Sequence, residues 1–428
     1  MTTTRTSALR RIATTVALGG LVVALAACSG TTGGGTLTQA AGQAAASAGH
    51  SAATDAAGGS TSAGATTSSA APKPVAVVTA SPAFGTDDLA PTAPVSVSVA
   101  SGTISDLTMT NPDGKQVSGT LSADHTSWTL GEPLGYGKQY DVTGTAVGTD
   151  GRSVPITGSF TTVTPVDQIT TSISPGDGAV VGVAAPVIVH LGYEPADKAL
   201  IEQHVKITTE PAVEGAWAWI RHDGDKWPSL DWRPKDYWPA NTKVHVESDI
   251  YGLPFGGGYF GGDNVTSDFT IGRNQVVLAD ANSHQIVVQQ DGQTVATYDA
   301  SYGSGDLIGD PNRVTRSGIH VVTDMQETTK MSNPAYGYTN VTEHWAVRIS
   351  DNGEFIHQNQ GTVDDQGVVN VSHGCINLSA ANAEAYFKTA LIGDPVEVTG
   401  TSVQLSPADG DIYDWTYSWD QWKALSAA

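Results

Sequence analysis

The sequence predicts a mostly β protein: two tandem β-sandwiches, then a third β-rich domain with one or two short helices and an aromatic C-terminal extension. Three observations predict it. From Val75 onward, short runs alternate apolar and polar residues and are separated by turn residues. The aromatic landmarks of the first such stretch return in the second. Beyond them only one segment, Ser379 to Phe387, carries a clear helical pattern, with Ser379 placed to cap it.

The N-terminal segment, 1–28, is of another kind. Arg5, Arg10 and Arg11 precede an apolar stretch from about Ile12 to Ala26, which ends in Leu25-Ala26-Ala27-Cys28. This is a secretion signal, too short for a dependable spanning helix. Its small-small-Cys ending resembles the bacterial lipoprotein signal, in which the cysteine, here Cys28, is lipidated and becomes the new N-terminus. An ordinary signal peptide cut near Ala27 is the plainer alternative. Acyl chains contribute about 0.8 kcal/mol per buried CH₂, so several hold where one does not. The expected location is the extracytoplasmic face of the cell membrane, reached through a lipid anchor.

Residues 29–74 are nearly all Gly, Ala, Ser and Thr. Such a composition buries too little apolar area to offset ordering entropy, so a disordered tether is expected, with a mean reach of roughly 35–40 Å. Across the whole chain, 21 Lys+Arg face 43 Asp+Glu, a net charge of −22. That balance argues against nucleic acid as a partner and against electrostatic adhesion to anionic lipid. It selects no substrate, and a monomer is expected.

In 75–164, Val95 to Val99 and Gln139 to Thr145 alternate with period two, Asn111-Pro112-Asp113-Gly114 marks a turn, and Gly158 to Thr162 reads as a last strand. The order Trp128, Tyr136, Tyr140-Asp141-Val142, Phe160 is echoed in 165–272 by Trp232, Trp238, Val244-His245-Val246, Phe269. Two immunoglobulin-like sandwiches follow from this repeat. The second is rich in rings: Trp217, Trp219, Trp227, Trp232, Trp238, Tyr251, Phe255, Tyr259 and Phe260. Core and interdomain packing explains them most simply, and carbohydrate stacking is the alternative.

The third domain spans 273–400. Strand patterns occur at Gln275–Ala279, Gln285–Gln289, Gly318–Val322, Trp345–Ile349 and Pro395–Val398, with Asp291-Gly292 as a hairpin turn. The extension, 401–428, carries Trp415, Tyr417, Trp419 and Trp422, and is expected to pack on a folded domain.

With Cys28 assigned to lipid, Cys375 is the one remaining cysteine. A free thiol is about 3% ionised at pH 7; a neighbouring imidazolium that lowered its pKa to about 6 would raise that above ~90%. Two histidines qualify from sequence. His357 lies fourteen intervening residues before Ser372, enough to come from a neighbouring strand. His373 is two residues away and, on a strand, would share a face with Cys375. Gly374 between them permits close approach of a substrate backbone. A metal reading of His320, His344, His357, His373 and Cys375 fits no familiar zinc spacing, so neither metal nor cofactor is expected.

His357-x14-Ser372-His373-Gly374-Cys375-Ile376-Asn377 resembles the signature of the L,D-transpeptidases, the YkuD-type catalytic domain. The layout of signal, tether, two immunoglobulin-like domains, catalytic domain and aromatic extension is similar to the actinobacterial lipoprotein form. The resemblance implies that Cys375 is the acylated nucleophile and His357 its base, oriented by the backbone carbonyl of Gln358, where relatives often have serine. It implies an oxyanion hole from the N–H groups of His373, Gly374 and Cys375, with His373 and Asn377 shaping the loop and meeting substrate beside Ser372. A lid over about Thr323 to Glu343 would contribute Met325 and Tyr338, and Trp345 would form a pocket wall. The implied reaction joins two peptidoglycan stem peptides, donor and acceptor, by 3→3 cross-links, and the implied inhibitors are carbapenem β-lactams. Two other functions remain open at this point: carboxypeptidase or D-amino-acid exchange by the same thiol, and a non-catalytic wall-binding lipoprotein.

Overall fold

The computed structural model describes residues 73–222 and 224–428. Cys28 and nearly all of the segment read as a tether lie outside the described residues. The rest is mostly β, in three domains along the chain.

The first sandwich packs two four-stranded sheets. One runs in the order Val77–Ser81, Ser96–Ala100, Ser127–Leu130, Gly119–Leu121; the other runs Gln116–Val117, Gly102–Thr110, Gln139–Gly148, Ser153–Thr161. Alternation decides which side chains face inward. Val97 and Val99 of one sheet meet Tyr140, Val142 and Phe160 of the other, while the residues between them face out.

The second sandwich repeats the plan with sheets built around Val187–Leu191 and Ser229–Pro234, and around Lys243–Ser248 and Val265–Ile271. The internal repeat is physical. Trp128 pairs with Leu121 and its ring covers Gly119; Trp232 pairs with Trp217 and its ring covers Gly215. In each case a Cβ on the glycine would collide with the indole. The two rings are therefore the same core position of one fold used twice.

Most of the aromatic residues in the second sandwich are packing residues. Trp232, Trp238 and Phe255 are buried in its core. Tyr251 meets Tyr136 edge-on, its hydroxyl donating to the carbonyl of Leu134 (2.7 Å), which joins the two sandwiches.

The third domain holds a five-stranded sheet, Gln293–Asp299, Gln285–Gln290, Gln275–Asp280, Pro395–Thr399, Gly318–Val321. A four-stranded sheet follows it: Asp324–Asn333, Tyr338–Arg348, Phe355–Gln358, Ile376–Leu378. The expected hairpin turn forms at Asp291 (φ 49°) and Gly292 (φ 75°). The expected helix is Ala380–Phe387, with Ser379 Oγ accepting from the N–H of Asn382 (3.3 Å), and Gly305–Ile308 is a second short one.

The extension folds onto the second sandwich. Its helix Trp419–Lys423 starts at a capping box formed by Ser418 and Gln421. Trp422 is fully buried against Ala218 and Ile220 and donates to the carbonyl of Ala216 (2.8 Å). Arg233, 2% exposed, lies under the rings of Trp415 (4.6 Å), Trp422 (5.0 Å) and Trp419 (5.5 Å). A desolvated guanidinium enclosed by indole faces gains cation–π attraction that water would otherwise weaken. Trp422→Ala is expected to destabilise the protein by about 3–5 kcal/mol, seen as a lower midpoint in thermal unfolding.

Candidate active site

The strands Phe355–Gln358 and Ile376–Leu378 are parallel neighbours with His357 opposite Asn377. Cys375 stands just before the second strand. The pairing thus brings the upstream histidine to the thiol across one strand spacing, and this is how residues far apart in sequence share a site.

His357 is buried, and its Nδ1 lies 2.7 Å from the carbonyl oxygen of Gln358. A carbonyl only accepts, so Nδ1 carries a hydrogen and Nε2 is directed to the thiol side. A second acceptor stands nearby: Glu343 Oε2, from the hairpin strand Tyr338–Arg348, is 3.4 Å from the same Nδ1. Burial alone would lower the pKa of the ring. Hydrogen bonds and charge attraction from Cys375 and Glu343 outweigh it and raise the value to about 10. Because the folded value lies above the ordinary 6.5, the stabilisation is complete below pH 6.5 and is lost as pH rises towards 10.

Cys375 is half-buried, and its Sγ lies 3.5 Å from the carbonyl oxygen of Gly353. The loop before it is bent rather than extended, which corrects the strand geometry expected for His373. Gly374 sits at φ 127°, a conformation L side chains avoid. Ser372 Oγ donates to the carbonyl of Cys375 (2.6 Å) and accepts from the N–H of Gly374 (3.1 Å). That amide is therefore committed inside the loop. Thr315 Oγ1 donates to the carbonyl of Gly374 (2.7 Å), tying the loop to the domain.

His373 takes a different place from His357. Its ring lies against Tyr336 (5.1 Å) and Tyr338 (5.5 Å), and burial together with the Arg313 charge holds its pKa below the ordinary value. Both influences disfavour a charged ring at this position.

The segment expected to form a lid is the hairpin Asp324–Asn333 and Tyr338–Arg348, joined by a 3₁₀ turn at Pro334–Tyr336. Two cavities meet at Cys375 beneath it. One, of about 470 Å³, is lined by Arg316, Lys330, Tyr336, Tyr338, His373 and Cys375 among others. The other, of about 260 Å³, is lined by Met331, Tyr338, Glu343, His357, Asn377 and Cys375 among others. Tyr338, Ser372 and Asn377 thus lie at the cavities. Met325 and Trp345 do not: both pack against the domain core, Trp345 edge-on to Phe387 (5.5 Å). Hairpin register is the reason, since Met325 pairs with Val347 at the base of the lid while Met331 lies further out, over the thiol.

Of the five residues in the sequence-based metal reading, His320 and His344 lie apart. His320 is buried between the carbonyls of Ile349 and Arg316, and His344 is at the surface beside Thr328. Glu343 is the site residue that sequence reasoning did not assign. Glu343→Gln, which keeps the shape and removes the charge, is expected to lower the pKa of His357. The alkaline limb of the activity profile should move down by on the order of one pH unit, measured as rate against pH.

Residues 86–254 match the family model of the bacterial Ig domain, and residues 274–398 match that of the L,D-transpeptidase catalytic domain. L,D-transpeptidase 5 of Mycobacterium tuberculosis (strain ATCC 25618 / H37Rv) is 48% identical over 356 residues, covering 83% of this chain and 78% of that relative. The chain belongs to the L,D-transpeptidase family. L,D-transpeptidase 2 of Mycobacterium tuberculosis (strain CDC 1551 / Oshkosh) is 35% identical over 360 residues, 82% of this chain and 85% of that one. Among solved structures, an LD transpeptidase in complex with imipenem is similar at 31% identity, with a TM-score of 0.45, over 55% of this chain and 100% of that chain. The catalytic-domain match includes the strand pair, the lid and the thiol loop described above.

Proposed function

We propose that this L,D-transpeptidase cross-links peptidoglycan stems through a thioester on Cys375. The observation that carries the reading is the buried His357, held by Gln358 and Glu343 and directed at a thiol where two cavities meet. His357 takes the thiol proton. The sulfur then attacks the carbonyl between the L-centre of a diamino acid and the terminal D-alanine of a tetrapeptide stem. A C–S bond forms, the C–N bond breaks, and His357 returns the proton to the departing amine of D-alanine. The side-chain amine of a second stem next attacks the thioester carbonyl and gives a proton to His357, the C–S bond breaks to return the Cys375 thiolate, and a 3→3 amide remains. The new amide inherits its free energy from the old one, so the reaction needs no nucleotide.

The amides of His373 and Cys375 are the proposed oxyanion donors, with that of Gly374 serving the loop. Tyr338, Ser372 and Asn377 are the proposed substrate contacts, and the hairpin excludes water while the thioester waits. Lipidated Cys28 would hold the chain on the outer face of the membrane, with residues 29–74 as its tether. Among the described residues, no helix is long and apolar enough to cross a membrane. Replacing Cys28 by alanine is expected to move the protein into the soluble fraction while sparing activity in solution.

The test is intact-mass analysis after incubation with a carbapenem, whose strained amide acylates an active thiolate. One adduct per chain, mapped to Cys375, is expected, along with 3→3 dimers from purified stems. An unmodified thiol would contradict the enzyme reading. An adduct with only trimmed stems would favour a carboxypeptidase.

A further inference from the structure

Where the C-terminal extension meets the second sandwich, it closes over a polar cluster that the reaction does not use. His222 follows the strand Gly215–Ile220, Asp231 lies on the strand Ser229–Pro234, and Asp414 opens the 3₁₀ turn Asp414–Thr416. Each offers a ligand atom, and these atoms lie within 4.8 Å of one another. All three side chains are enclosed, and both carboxylates are 0% exposed.

The hydrogen bonds around the cluster leave one of its carboxylates without a partner. His222 Nδ1 lies 3.0 Å from the carbonyl oxygen of Asp411, an acceptor only, so Nδ1 carries a hydrogen and Nε2 is the ring nitrogen turned towards the two carboxylates. That Nε2 is 2.8 Å from Asp231 Oδ2, to which it donates a hydrogen when no ion is bound, and Ser229 Oγ donates to Asp231 Oδ1 (2.5 Å), so a bound ion would take the place of the Nε2 hydrogen. Asp414 has no hydrogen-bond partner on either carboxylate oxygen, although it is completely buried. An unpartnered buried carboxylate is among the costliest groups a fold can hold. Arg233 is the nearby cation, but its guanidinium donates to the carbonyls of Pro234 (3.1 Å) and Tyr417 (2.9 Å) beneath the tryptophans.

We propose that His222 Nε2 and the carboxylates of Asp231 and Asp414 form a structural binding site for a divalent cation of the Zn²⁺ type. One imidazole and two carboxylates are an established donor mixture for such ions, and the two negative charges balance the dication. The Nδ1–H bond to Asp411 is the outer-shell contact that fixes the orientation of a metal-ligating histidine. Donors each about 2.0–2.2 Å from zinc stand roughly 3.3 Å apart, so the His222–Asp231 pair opens slightly on binding. The ligands come from two elements of the sandwich and from the extension, and the ion would pin the C-terminal segment in place. The proposal is independent of the transpeptidase reading. The rival occupant is a proton bridging His222 and Asp231.

The test uses the purified full chain carrying Cys28→Ala and Cys375→Ala, so that no thiol can bind metal, stripped with chelator and titrated with ZnCl₂. One zinc per chain retained through gel filtration is expected, with a thermal midpoint that rises on zinc addition and falls again with chelator. Asp414→Asn, checked as folded by circular dichroism, is expected to lose both effects; His222→Gln gives the same reading should the first variant fail to fold. No stoichiometric zinc and no change in midpoint, or unchanged binding in a folded variant, would overturn the site in favour of the proton.

Discussion

Replacing Cys375 by alanine is expected to reduce cross-linking by on the order of 10⁴- to 10⁶-fold, the loss typical when a covalent nucleophile is removed. Nothing else at the site can take its place. The hydroxyl beside it, Ser372 Oγ, spends its hydrogen on the carbonyl of Cys375 and accepts from the N–H of Gly374, so its proton is held by the loop rather than by a base. The fold should be little affected, because Cys375 is half-buried and the loop is held by Ser372 and Thr315 rather than by the thiol. A small change in thermal midpoint with no product dimer and no carbapenem adduct is the expected pair of results. Retained cross-linking in this variant would mean that another group carries the acyl chain.

Replacing His357 by glutamine should come next in size. General acid–base assistance from a positioned histidine contributes about 10²- to 10⁴-fold, and here the same ring also supplies the charge opposite the thiol. Turnover is expected to fall within that range. Alkylation of Cys375 by iodoacetamide at pH 7 is expected to slow by about 10- to 30-fold, because the ionised fraction of an unassisted thiol is small. The two readouts separate chemistry from misfolding, since a distorted site that exposed the thiol would speed alkylation. Glutamine also leaves the half-buried Glu343 beside an uncharged neighbour, so a small loss of stability should accompany the substitution.

Much of this site was legible in the sequence because its geometry is local or follows from strand pairing. The spacing from His357 to Ser372 allows two neighbouring strands, and the parallel pair that sets His357 against Asn377 is what folded. The carbonyl of Gln358 orients the base although its side chain differs from the usual serine, since orientation depends on the backbone alone. Alternation in Val95–Val99 and Gln139–Thr145 likewise reported which residues face the sandwich core.

Contacts set by long-range register were not legible. Glu343 reaches His357 only because the hairpin folds over the thiol, and nothing in its neighbours along the chain marks it. The same register placed Met331 at the cavities and left Met325 packed against the core, a distinction that two methionines six residues apart do not announce. The bend at His373-Gly374-Cys375 depends on hydrogen bonds to Ser372 and Thr315, which a period-two reading cannot anticipate. Nor does sequence distance hint that Asp414 would meet His222 and Asp231 where the extension covers the second sandwich.

The most direct measurement is rapid-quench mass spectrometry of the chain mixed with a tetrapeptide stem in the absence of acceptor. The account predicts a transient mass gain equal to the stem minus D-alanine, located on the peptide that contains Cys375 and discharged into a cross-linked dimer when acceptor is added. Release of D-alanine with no acyl group ever found on Cys375, or the same products from Cys375→Ala, would contradict it.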